Sequence, residues 1–344
     1  MLKKVSGKVK RASWVFRIWI AAQTSFKKRT DTVAIFDPSI LSENKGDEII
    51  AYYGNKVLTE IFEEKERFRL PTHACPKAED LKRLQQAGNK IVCGTNLITP
   101  HFEEYTNWKM PHDLKGYRDI VTLGVGWGYY CDDISKVSTF VYRTIFSKRG
   151  LLSVRDSYTE QKFCEMGISN VINTGCPTLW GLTPAHCASI PKKKARRVIT
   201  TVTDYDRDAK ADGMMFDILR QCYEEVFVWI QGSHDREYLE GLIDTSGIYI
   251  IENSLEAYTM ALHSGEVDYV GTRLHAGIHA LNQGVRTIIL AVDNRAIEMG
   301  KDFHLPVIRR SEVSDQLKKW INAEWETQIN VPFDAIAQWK DSFN

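Results

Sequence analysis

Short runs of β-branched and apolar residues alternate with helical stretches along most of the chain, and this rhythm limits the fold more than any other feature. Five runs, Thr32–Phe36, Lys90–Cys93, Asp119–Leu123, Leu151–Val154 and Val171–Asn173, are each followed by a turn and an amphipathic stretch. Strand and helix in strict succession predict a mostly parallel sheet covered by helices. The segment Thr183–Arg197 (TPAHCASIPKKKARR) interrupts the rhythm with two prolines and five basic residues and reads as an interdomain linker. The pattern then restarts. Strands are predicted at Val198–Val202, Val226–Ile230, Ile248–Ile251, Asp268–Val270 and Thr287–Ala291, with helices opening near Ala211, Asp235, Ser254, Thr272 and Asn294. The expected fold class is α/β, with two Rossmann-like doubly wound domains over residues 31–182 and 198–310 and a C-terminal helical segment over 311–344. Ligands in such folds bind beyond the carboxyl ends of the strands, so two domains facing across a cleft are expected to hold the ligand there.

Composition narrows the class. At 344 residues, 43% hydrophobic and 26% charged, the chain is ordinary globular protein with enough length for two cores. Seven scattered cysteines without a C-x-x-C pair suggest neither a zinc site nor a disulfide framework, which favours a reducing, cytoplasmic setting. Charge is unevenly distributed. Of the 45 Lys and Arg, nine fall in residues 1–30, which hold no acid, so 36 face 44 acidic residues elsewhere. As a helix, this basic tail puts Val15, Ile18, Trp19, Ala22 and Phe26 on one stripe. It is either a surface helix contacting anionic lipid at the inner membrane face or a helix packed on the protein's own body. Because the remainder is acidic, nucleic acid is not an expected partner.

Four constellations carry candidate chemistry. Asn44-Lys45-Gly46-Asp47-Glu48 follows the first strand and precedes a helix predicted over 48–62, where free backbone N–H groups can meet an anion or a sugar hydroxyl. Asp47 is there a ligand contact or only the helix N-cap. Cys93-Gly94-Thr95-Asn96-Leu97 and Gly124-Val125-Gly126-Trp127-Gly128-Tyr129-Tyr130 follow later strands. Their G-x-G spacing alone is weak ground for phosphate binding, while Trp127, Tyr129 and Tyr130 make either a flat platform for sugar rings or interdomain packing. At Ser153-Val154-Arg155-Asp156-Ser157-Tyr158, Ser157 or Asp156 caps a helix and Arg155 emerges toward the ligand, with an Arg155–Asp156 salt bridge as the competing use.

The strongest constellation is Gly271-Thr272-Arg273-Leu274-His275-Ala276. With Thr272 as N-cap, Arg273, Leu274 and His275 occupy the first helical turn, and an arginine and a titratable group sit at the positive end of a helix. That suits a phosphate or carboxylate. His275 and His279 are four apart but lack the glutamate of H-E-x-x-H enzymes, so no metal is expected.

Taken in order, NKGDE, SVRDSYT, the GCPTLW segment at Gly175–Trp180 and GTRLHAGIHAL resemble the polysaccharide pyruvyl transferase family over roughly residues 31–310. The chain departs from the family pattern at Gly94-Thr95-Asn96, where a glycine triplet is usual, at Gly175-Cys176-Pro177, where G-D-P is common, and at Arg295, in place of a frequent lysine. The resemblance implies a GT-B-like fold with the acceptor on the N-terminal domain, phosphoenolpyruvate as donor substrate and no cofactor. It also implies a glycan or lipid-linked oligosaccharide acceptor whose neighbouring hydroxyls form a cyclic pyruvate ketal in a cell-surface or exopolysaccharide. His275 and Asp47 are then the catalytic candidates. Arg273, Arg155, Asn44, Gly46, Thr272, Leu274 and Trp127 are the substrate-binding ones. Two rival readings remain: a GT-B glycosyltransferase using a nucleotide sugar, and a non-catalytic glycan-binding or scaffold member of a polysaccharide assembly complex.

Overall fold

The computed structural model describes residues 30–111, 114 and 116–343. Residues 1–29, and with them the basic tail and its expected membrane contact, lie outside the described residues. Among the described residues no helix is long and apolar enough to cross a membrane. The chain divides into two compact units: one holds residues up to Leu41, Tyr53–Pro177 and Pro332–Asn344, the other Ser42–Tyr52 and Thr178–Val331.

The first unit is built on strands β1 (Thr30–Asp37), β2 (Glu66–Pro71), β3 (Ala87–Cys93) and β4 (Val121–Leu123), in the order β2-β1-β3-β4, all parallel. Strands β5 (Leu152–Val154) and β6 (Val171–Asn173) pair with each other, and a parallel bridge between Val125 and Val154 joins them to β4. Helices α1 (Lys45–Ile61), α2 (Ala78–Gln86), α3 (Lys136–Ile145) and α4 (Ser157–Glu165) fall between strands, with only the latter part of α1 belonging to this unit. The core is aromatic, with Phe36 edge-on to Trp108 at 5.3 Å and Phe146 stacked on Tyr142 at 5.8 Å.

In the second unit six parallel strands run β7 (Arg197–Thr200), β8 (Glu225–Trp229), β9 (Ile248–Ile251), β10 (Val267–Gly271), β11 (Thr287–Ala291) and β12 (Val307–Arg309) along the chain. Their order in the sheet is β12-β11-β10-β7-β8-β9, the doubly wound arrangement in which the chain reverses direction between β7 and β10. Every residue of β10 and β11 is buried, as strands covered on both faces must be. Helices α5 (Pro184–Ser189), α6 (Ala209–Cys222), α7 (Asp235–Leu242), α8 (Leu255–Leu262), α9 (Leu274–Asn282), α10 (Asn294–Phe303) and α11 (Lys318–Asn322) belong to this unit.

Several sequence expectations need correction. The linker 183–197 contains a capped helix, α5: Thr183 accepts from the His186 N–H at 3.2 Å and Pro184 occupies the first turn, where its missing N–H costs nothing. The boundary falls at Pro177/Thr178 rather than 182, and residues 42–52 group with the second unit. The segment 311–344 is divided, because α12 (Phe333–Asp341) packs in the first unit. There Trp339 is fully buried, donates through Nε1 to the Thr122 carbonyl at 3.1 Å and meets Phe343, which in turn meets Phe62.

The C-terminal part of the second unit is tied down by Arg286, which is 1% exposed. Its Nη1 donates to Asp268 at 2.9 Å, and Nη2 donates to the carbonyls of Trp320, Ile321 and Ala323. Burial pushes the Asp268 carboxyl above the usual range, against the opposing pull of the Tyr223 hydroxyl and the Arg286 charge. Arg286→Ala would leave that carboxylate buried without its cation. The expected loss is about 3–5 kcal/mol of unfolding free energy, measured by urea titration, with Asp268→Asn in the same background recovering part of it.

Candidate active site

A concave site lies in the second unit at the carboxyl ends of β7, β8, β10 and β11. The chain reverses direction here, so the loops after β7 and β10 diverge and leave a crevice. Three helices begin at its wall. Asn44, Gly46 and Asp47 come from the start of α1, Thr272, Arg273, Leu274 and His275 from the start of α9, and Val292, Asp293, Arg295 and Ala296 from the start of α10. Tyr205 and Gln231 complete the lining. The first N–H groups of each helix have no intrahelical acceptor, so three partial positive charges face one space.

Local bonding explains how α1 enters the site. Asn44 Oδ1 accepts from the Gly46 N–H at 3.0 Å, the geometry of a helix N-cap, and from Gln231 Nε2 at 2.8 Å. The Lys45 N–H donates to the Gln231 carbonyl at 3.1 Å. Asn44 rather than Asp47 is therefore the cap, and α1 starts three residues earlier than the sequence pattern indicated. Asp47 lies in the first turn, 7% exposed, and accepts from the Ser42 hydroxyl at 2.6 Å. A side chain at Gly46 would meet Gln231 Nε2 at 2.9 Å and Asn44 Oδ1 at 3.1 Å, so it would push on the hydrogen bond between these two side chains. Gln231 is 3% exposed, and no donor to its Oε1 is present among the described residues.

Arg273 is the most tightly held residue of the site. It is 3% exposed; Nε donates to the Val202 carbonyl at 2.9 Å, and Nη2 donates to Asp204 at 2.9 Å and to Asp235. Asp235 is held in turn by the N–H groups of Gly232 at 2.7 Å and Asp204 at 3.1 Å. Burial pushes the Asp235 carboxyl above the usual range, with Arg273 opposing. Burial also disfavours ionisation of Asp204, but its hydrogen bond with Asp235 and the Arg273 charge outweigh this and hold its carboxyl below the usual range. The Tyr205 ring lies 4.9 Å from the Arg273 guanidinium and 5.8 Å from that of Arg295, within cation–π range of both. Arg295 pairs with Asp293, the N-cap of α10, and donates to the Tyr205 hydroxyl.

Among the residues singled out in the sequence, Asn44, Gly46, Asp47, Thr272, Arg273, Leu274 and His275 come together in this site. Thr272 is not the N-cap of α9; that position falls to Arg273, and the Thr272 hydroxyl is turned back to the Thr201 carbonyl at 3.1 Å and the Thr203 hydroxyl at 2.8 Å. Arg155 and Trp127 belong to the first unit and do not line the site. Trp127 is fully buried in the first unit's core, so it offers no surface platform. Arg155 is 1% exposed, pairs with Asp156 at 3.5 Å and lies against Gly126, where any side chain would meet its guanidinium. Asp156, not Ser157, caps α4, accepting from the Thr159 N–H at 2.7 Å. The sequence reading did not single out Asp204, Tyr205, Gln231, Asp235 or Asp293, although each follows within a few residues the end of a predicted strand.

Among the described residues no group of three or more His, Cys, Asp or Glu side chains is arranged to hold a metal ion. His275, 5% exposed, lines the site, whereas His279 lies one turn on, 3% exposed, with Nε2 2.9 Å from the Thr259 hydroxyl. That hydroxyl donates to the Leu255 carbonyl, so His279 Nε2 carries the proton and donates to it.

Helix starts converge here at the switch point of a doubly wound sheet, the place where α/β proteins of this class bind their ligands. A family model described as polysaccharide pyruvyl transferase matches residues 44–294, and the chain belongs to that family. No curated protein matches the chain in sequence. A crystal structure of LpCGTa in complex with UDP is 9% identical, with 91% of this chain and 94% of that one covered and a TM-score of 0.39.

Burial, with a smaller push from His263, lowers His279 from its usual 6.5 to about 4. Between those values the unfolded chain binds a proton that the folded one refuses, so stability falls as pH drops from 6.5 and levels off below 4. The full effect is about 3 kcal/mol. On going from pH 7 to pH 5, urea unfolding of wild type should lose about 2 kcal/mol more than that of His279→Gln; equal losses would refute the assignment.

Proposed function

We propose that the chain transfers pyruvate from phosphoenolpyruvate to neighbouring hydroxyls of a sugar in a polysaccharide, forming a cyclic ketal and releasing phosphate. The observation that carries this reading is the convergence of three helix starts on one site. Side-chain charge alone would not attract an anion there, because Arg273 and Arg295 face Asp204, Asp235 and Asp293. The helix termini, each equivalent to roughly half an elementary charge, offset that deficit, and those of α9 and α10 supply N–H donors for phosphate and carboxylate oxygens.

In this scheme the donor's carboxylate and phosphate lie against the starts of α9 and α10, beside Thr272, Leu274 and Arg273. Arg295 takes the place of the family's lysine. His275 delivers a proton to the enol methylene, which becomes a methyl group as the adjacent carbon turns oxocarbenium-like. One sugar hydroxyl attacks that carbon, phosphate leaves with its electron pair, and the second hydroxyl closes the ketal. Of the two hydroxyl protons, one balances the methyl group and the other departs with phosphate. Asp47, beside the N–H groups that follow Asn44, accepts a hydroxyl proton.

Phosphoenolpyruvate should raise the melting temperature of the full chain, by about 2.7 kcal/mol of added stability at a hundredfold excess over its dissociation constant, and Arg295→Gln should weaken the effect. His275→Ala should keep the fold while phosphate release with a glycan acceptor falls at least about a hundredfold. Stabilisation by uridine diphosphate but not by phosphoenolpyruvate would overturn the reading.

A further inference from the structure

The loops that follow β3 and β4 in the first unit leave three large rings in water: Tyr105 is 56% exposed, Tyr129 42% and Tyr130 50%. The two loops form one surface. The Gly128 N–H donates to the Ile98 carbonyl at 2.7 Å, the Ser135 N–H to the Pro100 carbonyl at 3.0 Å, and the Thr99 hydroxyl to the Tyr105 carbonyl at 2.9 Å. Two of the rings are also held. The Tyr105 hydroxyl donates to Asn107, and Tyr130 stands edge-on to Tyr158 at 5.0 Å. The Tyr129 hydroxyl is pushed above its usual range by partial burial and by the neighbouring Cys131, Glu104 and Glu103, so acidic groups lie beside this ring. Exposed rings held by a neighbour, as Tyr105 is by Asn107 and Tyr130 by Tyr158, lose little entropy when a flat partner lies on them, and exposed rings on adjoining loops mark a contact surface.

The groups around the rings indicate what that partner is. Asp132, Asp133 and Glu104 are exposed on the same two loops, with Glu103 half-buried and bonded to the Ser135 hydroxyl at 2.8 Å. Carboxylates accept from hydroxyls but repel anions, and tyrosine faces match the C–H faces of pyranose rings. Opposing them are Lys109, over the Tyr105 ring at 5.8 Å, and Lys162, over the Tyr158 ring at 5.3 Å, with Arg118 farther along the loop after β3 and Lys136 at the start of α3, so the cations do not outnumber the carboxylates.

We propose that Tyr105, Tyr129 and Tyr130 form a binding surface for an uncharged hexose chain, whose ring faces stack on the tyrosines while its hydroxyls donate to the acidic rim. The inference rests on the polysaccharide acceptor of the reading above, and is independent of the donor. The surface selects a chain that has not yet received an acidic group.

The test is affinity electrophoresis of the full chain in native gels cast with galactomannan, dextran or arabinogalactan as neutral polymers, and with alginate as an acidic one. Wild type should be retarded by at least one neutral polymer and not by alginate. Tyr129→Ala and Tyr105→Ala should each weaken retardation at least tenfold, whereas Tyr129→Phe, which keeps the ring, should retain it. All three should melt as wild type does and keep the wild-type response to phosphoenolpyruvate, so loss of that response alone counts against the donor and not against this surface. No retardation by any neutral polymer, equal retardation of the alanine variants, or stronger retardation by alginate would overturn the proposal.

Discussion

The second unit's site depends on how Arg273 is held. A guanidinium removed from water is costly unless its donors are met, and here the Val202 carbonyl, Asp204 and Asp235 meet them from two different segments. The bonds fasten the loop after β7 and the start of α7 to the start of α9. Two tyrosines secure α9 from below: Tyr269 donates to the Arg273 carbonyl at 2.9 Å and Tyr258 to the Ala276 carbonyl at 2.9 Å. His275, two residues beyond Arg273, inherits its position from this arrangement. Removing one carboxylate would therefore disturb the placement of His275 as well as the local charge.

The electrostatics of the site follow from the same packing. Three carboxylates stand close to two guanidinium groups, which fixes the arginines but cancels their charge. What remains positive is backbone. A helix terminus cannot be titrated or swung aside, so its share of the field that a ligand meets is set by the fold, and pH acts there only through side chains such as Asp235, whose carboxyl burial pushes upward.

Much of this architecture was legible in the sequence. Strand β11 was readable because a near-continuous apolar run such as TIILA is what a strand buried on both faces requires, and β10 because Val267, Tyr269 and Val270 stand just before the turn at Gly271. The strands β2 and β12 were not, since both lie at sheet edges, where ERFRLP alternates polar and apolar residues and β12 spans only Val307–Arg309. Helix α5 was hidden by the basic run that follows it. In the site, the start of α9 could be picked out because arginine and histidine beside a predicted helix start are chemically conspicuous. Asp204, Gln231 and Asp235 could not, because each resembles an ordinary loop residue until the strand order brings β7, β8 and β10 together. Trp127 misled for the opposite reason, since a tryptophan among glycines is equally suited to a surface or a core, and Val125 pairing with Val154 places this stretch inside.

Helix α12 belongs to the first unit although the second unit lies between it and the rest of that unit in sequence. During synthesis the residues of the second unit, through Val331, are complete before Trp339 exists. The first unit must therefore wait, with the space beneath the Thr122 carbonyl unfilled, until the last helix leaves the ribosome. The order of completion is the reverse of the order in which the two units begin.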